Sequence, residues 1–589
     1  MARFILAPTA IAGTGMQTAC LGTGGYNTMK RTDRTSLPGF LAGCFLLATG
    51  LTACQGRSDE PASSGSAEGA VVDAPAGQVR GSIEGSLRVF KGIPYAQPPV
   101  GQARWKPPEA LPRWTGVRTA LEFGPACPQP GPLYSNIYSS DISPFSEDCL
   151  SLNIWAPADS SDAPVMVWIH GGALVRGSSK EVAYDGANLA RRGIVVVSIN
   201  YRLGVLGYLA HPELSAESPQ GVSGNYGLLD QIEALRWVRE NIAAFGGNPT
   251  EVTVAGESAG ALSVMYLMAA PAAHELFQRA IVESGYMVSM PEIRKARHGT
   301  PSAEAIGAGL AEELGMPHIA DLRALDANTL VEKVAKLKYF TIGTVDGKVL
   351  PRQLVDTFDL GEQAPVQVLA GFNSGEIRSL RALAPPVPES AEAYEKTIRE
   401  RYLDMADEFL RLYPASDMQE SIWATTRDAL YGWTAERLVI KQTGIGHPSY
   451  LYFFDHGYPA ADEAGLHGFH ASELPYIFGT MYVMPENWPR IPQTDAEQSF
   501  SRAMGDYWSS FVATGKPRAM QEPDWSAYDS SKAYMYFGAT PQLKEDLFPG
   551  MYELHEEAVC RRKASDKSPW HWNTGLVSPV LTAMPDAGC

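Results

Sequence analysis

Gly256-Glu257-Ser258-Ala259-Gly260 decides how this chain is read. It follows the apolar run Val252-Thr253-Val254-Ala255, which has the composition of a buried strand, and it opens the helix-forming stretch Ala261 to Met268. Strand, G-x-S-x-G and helix in that order make a nucleophile elbow: small residues let strand and helix approach, and a strained turn lifts the serine hydroxyl clear of the surface. The string alone is common. Its position between a strand and a helix carries the reading.

Working outward, Val165-Met166-Val167-Trp168-Ile169 and Ile194 to Ile199 are short continuous apolar runs, as strands covered on both faces of a mostly parallel sheet read. Between them and the elbow, Leu228, Ile232, Leu235, Val238, Ile242 and Phe245 form one helical face, ended by Gly246-Gly247-Asn248-Pro249. Beyond the elbow come the strands Ala280-Ile281-Val282, Val366 to Ala370 and Tyr450 to Phe454. The alternation predicts an α/β fold with a large, mostly parallel central sheet and right-handed crossovers. A helix-rich insertion from Ala391 to Gln442 is a candidate cap, and Thr494 with Glu497 predicts a capping box for a helix running to Ala513 and stopping at Gly515.

Composition agrees. In 589 residues the chain is 45% hydrophobic and 19% charged, with 56 Gly and 43 Pro, which excludes wholesale disorder, collagen and coiled coil. A formal net charge of -17 is the wrong sign for a nucleic-acid partner or an anionic membrane surface. Neither an internal repeat nor a linker follows residue 76, so residues 76–589 read as one catalytic domain, although the length alone suggests more domains at roughly 150 residues each.

The N-terminus reads as an export signal. Met29-Lys30-Arg31 precedes an apolar run from Leu37 to Ala53, whereas residues 1–28 carry no such logic and Met29 is a candidate start. No later stretch offers the roughly 20 apolar residues of a membrane span. Leu51-Thr52-Ala53-Cys54 resembles the bacterial lipobox, in which the cysteine is lipidated and becomes the first residue of the mature protein. Residues 1–53 are then a leader and residues 54–75 a flexible tether, with the enzyme anchored by lipid at the periplasmic face of the outer membrane. The alternative is ordinary cleavage near Ala53 and a periplasmic or secreted enzyme. In an exported protein the close pair Cys127 and Cys149 is the better candidate disulfide; the pairing of Cys560 with Cys589 stays open.

A second chemical element, His170-Gly171-Gly172-Ala173, resembles the H-G-G-G loop whose backbone N–H groups form an oxyanion hole. Together with Phe90-Lys91-Gly92-Ile93-Pro94-Tyr95-Ala96, Glu147-Asp148-Cys149-Leu150-Ser151-Leu152-Asn153, Asn200-Tyr201-Arg202-Leu203-Gly204 and Gly224 to Gln231, it makes the chain resemble the type-B carboxylesterase and cholinesterase family of α/β-hydrolases, in family order. The resemblance implies a serine carboxylesterase with Ser258 as nucleophile and the backbones of Gly172, Ala173 and Ala259 as oxyanion donors, with Gly171 adjacent. It places the acid on Glu376, in Gly371-Phe372-Asn373-Ser374-Gly375-Glu376-Ile377, where the family's G-x-N-x-x-E-G has Gly in place of Ile377. It places the base on His470, in Gly468-Phe469-His470-Ala471-Ser472-Glu473, with His467 as the rival.

The order Ser, Glu, His is the one this fold uses. Glu257 and Glu473 fall near the site by the same resemblance, and Arg104 with Glu147 falls on a structural ion pair. The chemistry requires neither metal nor cofactor, and the substrate is a small-molecule ester. Two alternatives remain at this level: a lipase acting at an interface, and a non-catalytic cholinesterase-like adhesion protein. The resemblance implies that choline-hydrolysing relatives bind the quaternary ammonium on a tryptophan of this loop; residues 127 to 149 contain none, so choline esters are not expected substrates.

Overall fold

The computed structural model describes residues 69–131, 136–337 and 339–584. The leader, Cys54 and the greater part of the expected tether lie outside these residues. The tether ends earlier than residue 75, because β1 (Val71–Ala74) pairs antiparallel with β2 (Gly77–Arg80). Alternation decides it: Val72 and Ala74 face the core while Val71 and Asp73 face solvent. With β5 (Val117–Thr119) these strands form a small three-stranded sheet.

The central sheet is built from β3 (Ser82–Glu84), β4 (Leu87–Pro94), β6 (Ser151–Pro157), β7 (Ala163–Ile169), β8 (Val195–Ile199), β9 (Gly247–Glu257), β10 (Arg279–Glu283), β11 (Gln367–Asn373), β12 (Tyr450–Phe454), β13 (Ala533–Phe537) and β14 (Pro541–Glu545). Among the described residues its order is β14-β13-β12-β11-β10-β9-β7-β8-β6-β4-β3. The run from β8 to β13 is parallel, and both edges are antiparallel. The predicted mostly parallel α/β sheet is therefore present, with antiparallel margins that the sequence reading did not include.

Both faces of the parallel strands are covered, which is why they read as unbroken apolar runs. In β7, Val165, Val167 and Ile169 enter one core while Met166 and Trp168 enter the other. In β12, Leu451 and Phe453 divide from Tyr450, Tyr452 and Phe454 in the same way. Each such fully buried aliphatic side chain contributes about 1.5–3 kcal/mol.

The helix expected from Leu228 to Phe245 begins at Tyr226 and is α-helical to Asn241, tightening to a 3-10 turn over Ile242–Phe245. Gly246 caps it with a left-handed φ of 91°, while Gly247 already starts β9, so only the first glycine terminates the helix. The late helix spans Asp495–Thr514, with Thr494 accepting from the Glu497 N–H and Gly515 left-handed at its end. The Glu497 carboxylate does not complete the box, because it accepts from Tyr476 and stands 2.9 Å from His456. The insertion between β11 and β12 contains the helices Ala391–Tyr402, Ala406–Leu412, Met418–Arg427 and Trp433–Gly444, with a π-helical turn at Asp428–Gly432.

Candidate active site

Ligands in open α/β sheets bind beyond the carboxyl ends of the strands, and the sequence-selected residues all lie there. His170 follows β7, Ser258 follows β9, Glu376 lies three residues beyond β11, and His470 sits on the loop after β12. At the elbow Ser258 adopts φ 57° and ψ −119°, a region that costs a non-glycine residue on the order of 1–3 kcal/mol, and the helix Ala259–Ala269 begins at the next residue. Its N–H donates to the Glu283 carbonyl (2.9 Å) and its carbonyl accepts from Leu262 (2.9 Å), so the turn is held from β10 and from its own helix. A Cβ on Gly256 would lie 2.8 Å from the Ile169 carbonyl oxygen, and one on Gly260 would lie 3.1 Å from the His170 carbonyl carbon. Small residues at both ends of the motif are thus required by the packing of β9 and its helix against β7.

The His170–Ala173 loop lies against the same turn. A Cβ on Gly171 would meet the Glu257 carbonyl at 2.9 Å and the Ser258 Cβ at 3.3 Å. Gly172 and Ala173 follow with φ of 101° and 57°. His170 Nδ1 stands 2.9 Å from the Gly171 carbonyl and its ring stacks on Tyr201 at 4.6 Å. Burial pulls this imidazole down to about 4, so it is a neutral Nδ1–H donor that fixes the loop. Ala259 is the first residue of its helix, where an N–H has no intrahelical acceptor.

Glu376 and His470 meet directly. The Glu376 Oε2 stands 2.5 Å from His470 Nδ1, and its Oε1 accepts from the Ser284 hydroxyl (2.6 Å) and the Asn373 N–H (2.8 Å). The carboxylate is fully buried. The two loops are joined as well: Gly375 N–H donates to the Gly468 carbonyl (2.7 Å), and the Asn373 amide donates to the Phe469 carbonyl (2.8 Å) and to Glu473.

The other ring nitrogen, Nε2, faces Glu257 Oε1 at 3.0 Å. Burial alone would lower the His470 pKa, but the Glu257 and then the Glu376 carboxylates outweigh it and hold the imidazole well above its ordinary 6.5. Glu473, by contrast, is pushed up by burial and by Glu257 and Glu376.

The rival histidine is elsewhere. His467 Nδ1 and Nε2 stand 2.7 and 3.2 Å from Asp462 and Asp455. The Cys127–Cys149 disulfide is formed, and Cys560 is also disulfide-bonded. Arg104 and Glu147 make the expected bidentate pair, at 2.7 and 2.6 Å.

Three site residues were not legible in the sequence. Ser284, the first residue after β10, closes the hydrogen-bond set of Glu376; its placement beside the elbow strand was the available signal. Tyr431, carried on the π-helical turn, lies with its ring 5.5 Å from that of His470. Tyr138, from the disulfide-closed loop, reaches the His470 carbonyl at 2.9 Å.

The model of the Carboxylesterase family matches residues 68–554. The para-nitrobenzyl esterase of Bacillus subtilis (strain 168) is 37% identical over 468 residues, 78% of this chain and 92% of that relative. The fumonisin B1 esterase of Sphingopyxis macrogoltabida is 35% identical over 488 residues, 80% of this chain and 87% of that relative. Among solved structures, a PNB esterase aligns with a TM-score of 0.72 at 33% identity, covering 82% of this chain and 99% of that one.

Proposed function

The chain belongs to the carboxylesterase family and is a carboxylic ester hydrolase, and from that premise we propose that Ser258, His470 and Glu376 are its nucleophile, general base and orienting acid. The observation that carries the assignment is the pairing of His470 Nδ1 with the buried Glu376, on loops beyond the carboxyl ends of β12 and β11, at the same edge of the sheet as the elbow. His470 takes the Ser258 proton as the hydroxyl oxygen attacks the ester carbonyl carbon. The backbone N–H groups of Gly172, Ala173 and Ala259, with Gly171 packed behind, stabilise the oxyanion. The imidazolium so formed has a carboxylate at each ring nitrogen, Glu376 at Nδ1 and Glu257 at Nε2. It returns the proton to the alcohol as the carbonyl–alkoxide bond breaks, and water then cleaves the acyl-enzyme by the same route. The substrate is a small-molecule carboxylic ester.

Ser258→Ala and His470→Ala should each lower turnover on the order of a million-fold while leaving thermal unfolding cooperative. Near-normal turnover in the His470 variant, with loss in a His467 variant instead, would overturn the assignment.

For the ends of the chain, we propose residues 1–53 as the leader, Cys54 as the lipidated N-terminus, residues 55–70 as the tether and residues 71–589 as the catalytic domain. The support is the order of basic residues, apolar run and Leu51-Thr52-Ala53-Cys54 in the sequence. Several acyl chains at about 0.8 kcal/mol per buried CH₂ would make such an anchor effectively permanent. The enzyme would then face the periplasm from the outer membrane.

A further inference from the structure

Residues 127–131 and 136–149, parts of the disulfide-closed segment, contact both sides of the active site. On the oxyanion side, the buried Gln129 side chain exchanges two hydrogen bonds with the Gly177 backbone, at 2.9 and 3.0 Å, and the Arg176 guanidinium donates to the Gly131 carbonyl (2.8 Å). The segment is itself braced at its base, where Ala126 N–H donates to the Pro144 carbonyl and Ser146 N–H to the Ala126 carbonyl.

On the other side stands Tyr138. Its hydroxyl lies 2.9 Å from the His470 carbonyl and 2.8 Å from the Ser379 hydroxyl. The one phenol proton is shared between these two acceptors, and the Ser379 hydroxyl in turn donates to the Glu376 carbonyl (3.4 Å). Ser379 ends the short turn Glu376–Ser379. One oxygen therefore joins the backbone of the base to the turn that carries the acid. The Tyr138 ring packs edge-on against Trp488 at 5.9 Å, and Trp488 packs on Phe469, the neighbour of His470, at 4.9 Å. Ala471, the next residue, has a left-handed φ of 66°, a conformation strained for a residue other than glycine.

We propose that Tyr138 is a positioning residue for ester hydrolysis, fixing His470 relative to Glu376 through its hydroxyl, and that the Cys127–Cys149 closure holds it in place. The proposal rests on the triad reading above. It acts through geometry: the hydroxyl touches neither reacting atoms nor either ring nitrogen, yet small displacements of a base are costly in rate.

The experiment uses the full chain and para-nitrophenyl acetate. Tyr138→Phe keeps the ring against Trp488 and removes the tie; kcat should fall about five- to tenfold, the scale of one neutral hydrogen bond, with KM within about twofold. The acid limb of the kcat/KM profile should also move to lower pH, because a loosened imidazole loses part of its carboxylate contact. Ser379→Ala should change both in the same direction and by less. Wild-type kcat and an unmoved acid limb in Tyr138→Phe overturn the proposal, as does a change in KM alone. If Tyr138→Phe fails to fold cooperatively, Ser379→Ala decides by the same two readings. A silent Tyr138→Phe beside an inactive Ser258→Ala refutes only this inference, whereas an active Ser258→Ala removes the triad beneath it.

Discussion

Replacing Glu257 by Gln removes a charge from beside His470 while keeping the volume, and its effect on the pH profile can be worked from the geometry. The Glu257 oxygen stands 3.0 Å from Nε2. At an effective dielectric of ~20 that separation corresponds to ~5.5 kcal/mol of attraction as a ceiling. Glu376 still holds Nδ1 in the variant, and burial opposes charging throughout. An opposite charge this near strongly favours the charged imidazolium, so removing it should lower the His470 pKa clearly.

The sign follows from which form the carboxylate favours. Glu257 favours the imidazolium, so wild-type kcat/KM should decline as pH drops through a value clearly above the ordinary 6.5, not through 6.5 itself. Without Glu257 the proton leaves at lower pH, and the variant should keep a larger fraction of its own maximum in mild acid. Its plateau should nevertheless be lower, because the same carboxylate stabilises the imidazolium formed during acylation. The assay is kcat/KM for a soluble neutral ester between about pH 5 and 9, since this quantity reports the free enzyme. An acid limb that stays in place or moves upward in Glu257→Gln would refute the argument.

Two further outcomes are expected. His467→Gln should destabilise the protein in neutral solution: contact with Asp455, opposed by burial and aided by Asp462, raises His467 to about 9. Because the folded value lies above the unfolded one, the contribution is complete below pH 6.5 and lost as pH rises through about 9, so the melting temperatures of variant and wild type should converge in alkali. With the ring 40% exposed, screening reduces the effect to about 1 kcal/mol. Cys54→Ser should move esterase activity from the membrane fraction to the soluble one or block maturation; a soluble wild-type enzyme whose N-terminus is not Cys54 would defeat the lipid-anchor proposal and leave plain secretion.

The parallel strands were legible because burial on both faces writes itself into sequence as an unbroken apolar run. Tyr450–Phe454 falls where it was read, and β7 and β8 differ from their readings by a residue or two. Strands with half or fewer of their residues buried, such as Val71–Ala74 and Pro541–Glu545, carry a weaker signal in a few residues and were passed over. The same physics moved the tether boundary: Ser, Ala and Gly-rich composition grades into a hairpin without any change a window can register, and only the burial of Val72 and Ala74 marks where the fold begins.

Legibility of the site divides along a different line. Ser258, Glu376 and His470 stand in local strings whose residues must be small or acidic for steric and chemical reasons, so the strings betray them. Ser284 and Tyr138 do their work across 92 and 332 residues of chain, through a hydroxyl that could sit in any polar context. Glu257 shows both sides. Its position inside the elbow was visible, but a buried glutamate before the elbow serine is equally compatible with packing, and only the ring of His470 lying against it makes it an electrostatic partner. Local constraint therefore exposes the atoms proposed to react, while the groups that set their pKa and their alignment become visible only when distant loops are brought together; Glu257 and Tyr138 are such groups, one facing the imidazole with its charge and the other tied to its backbone.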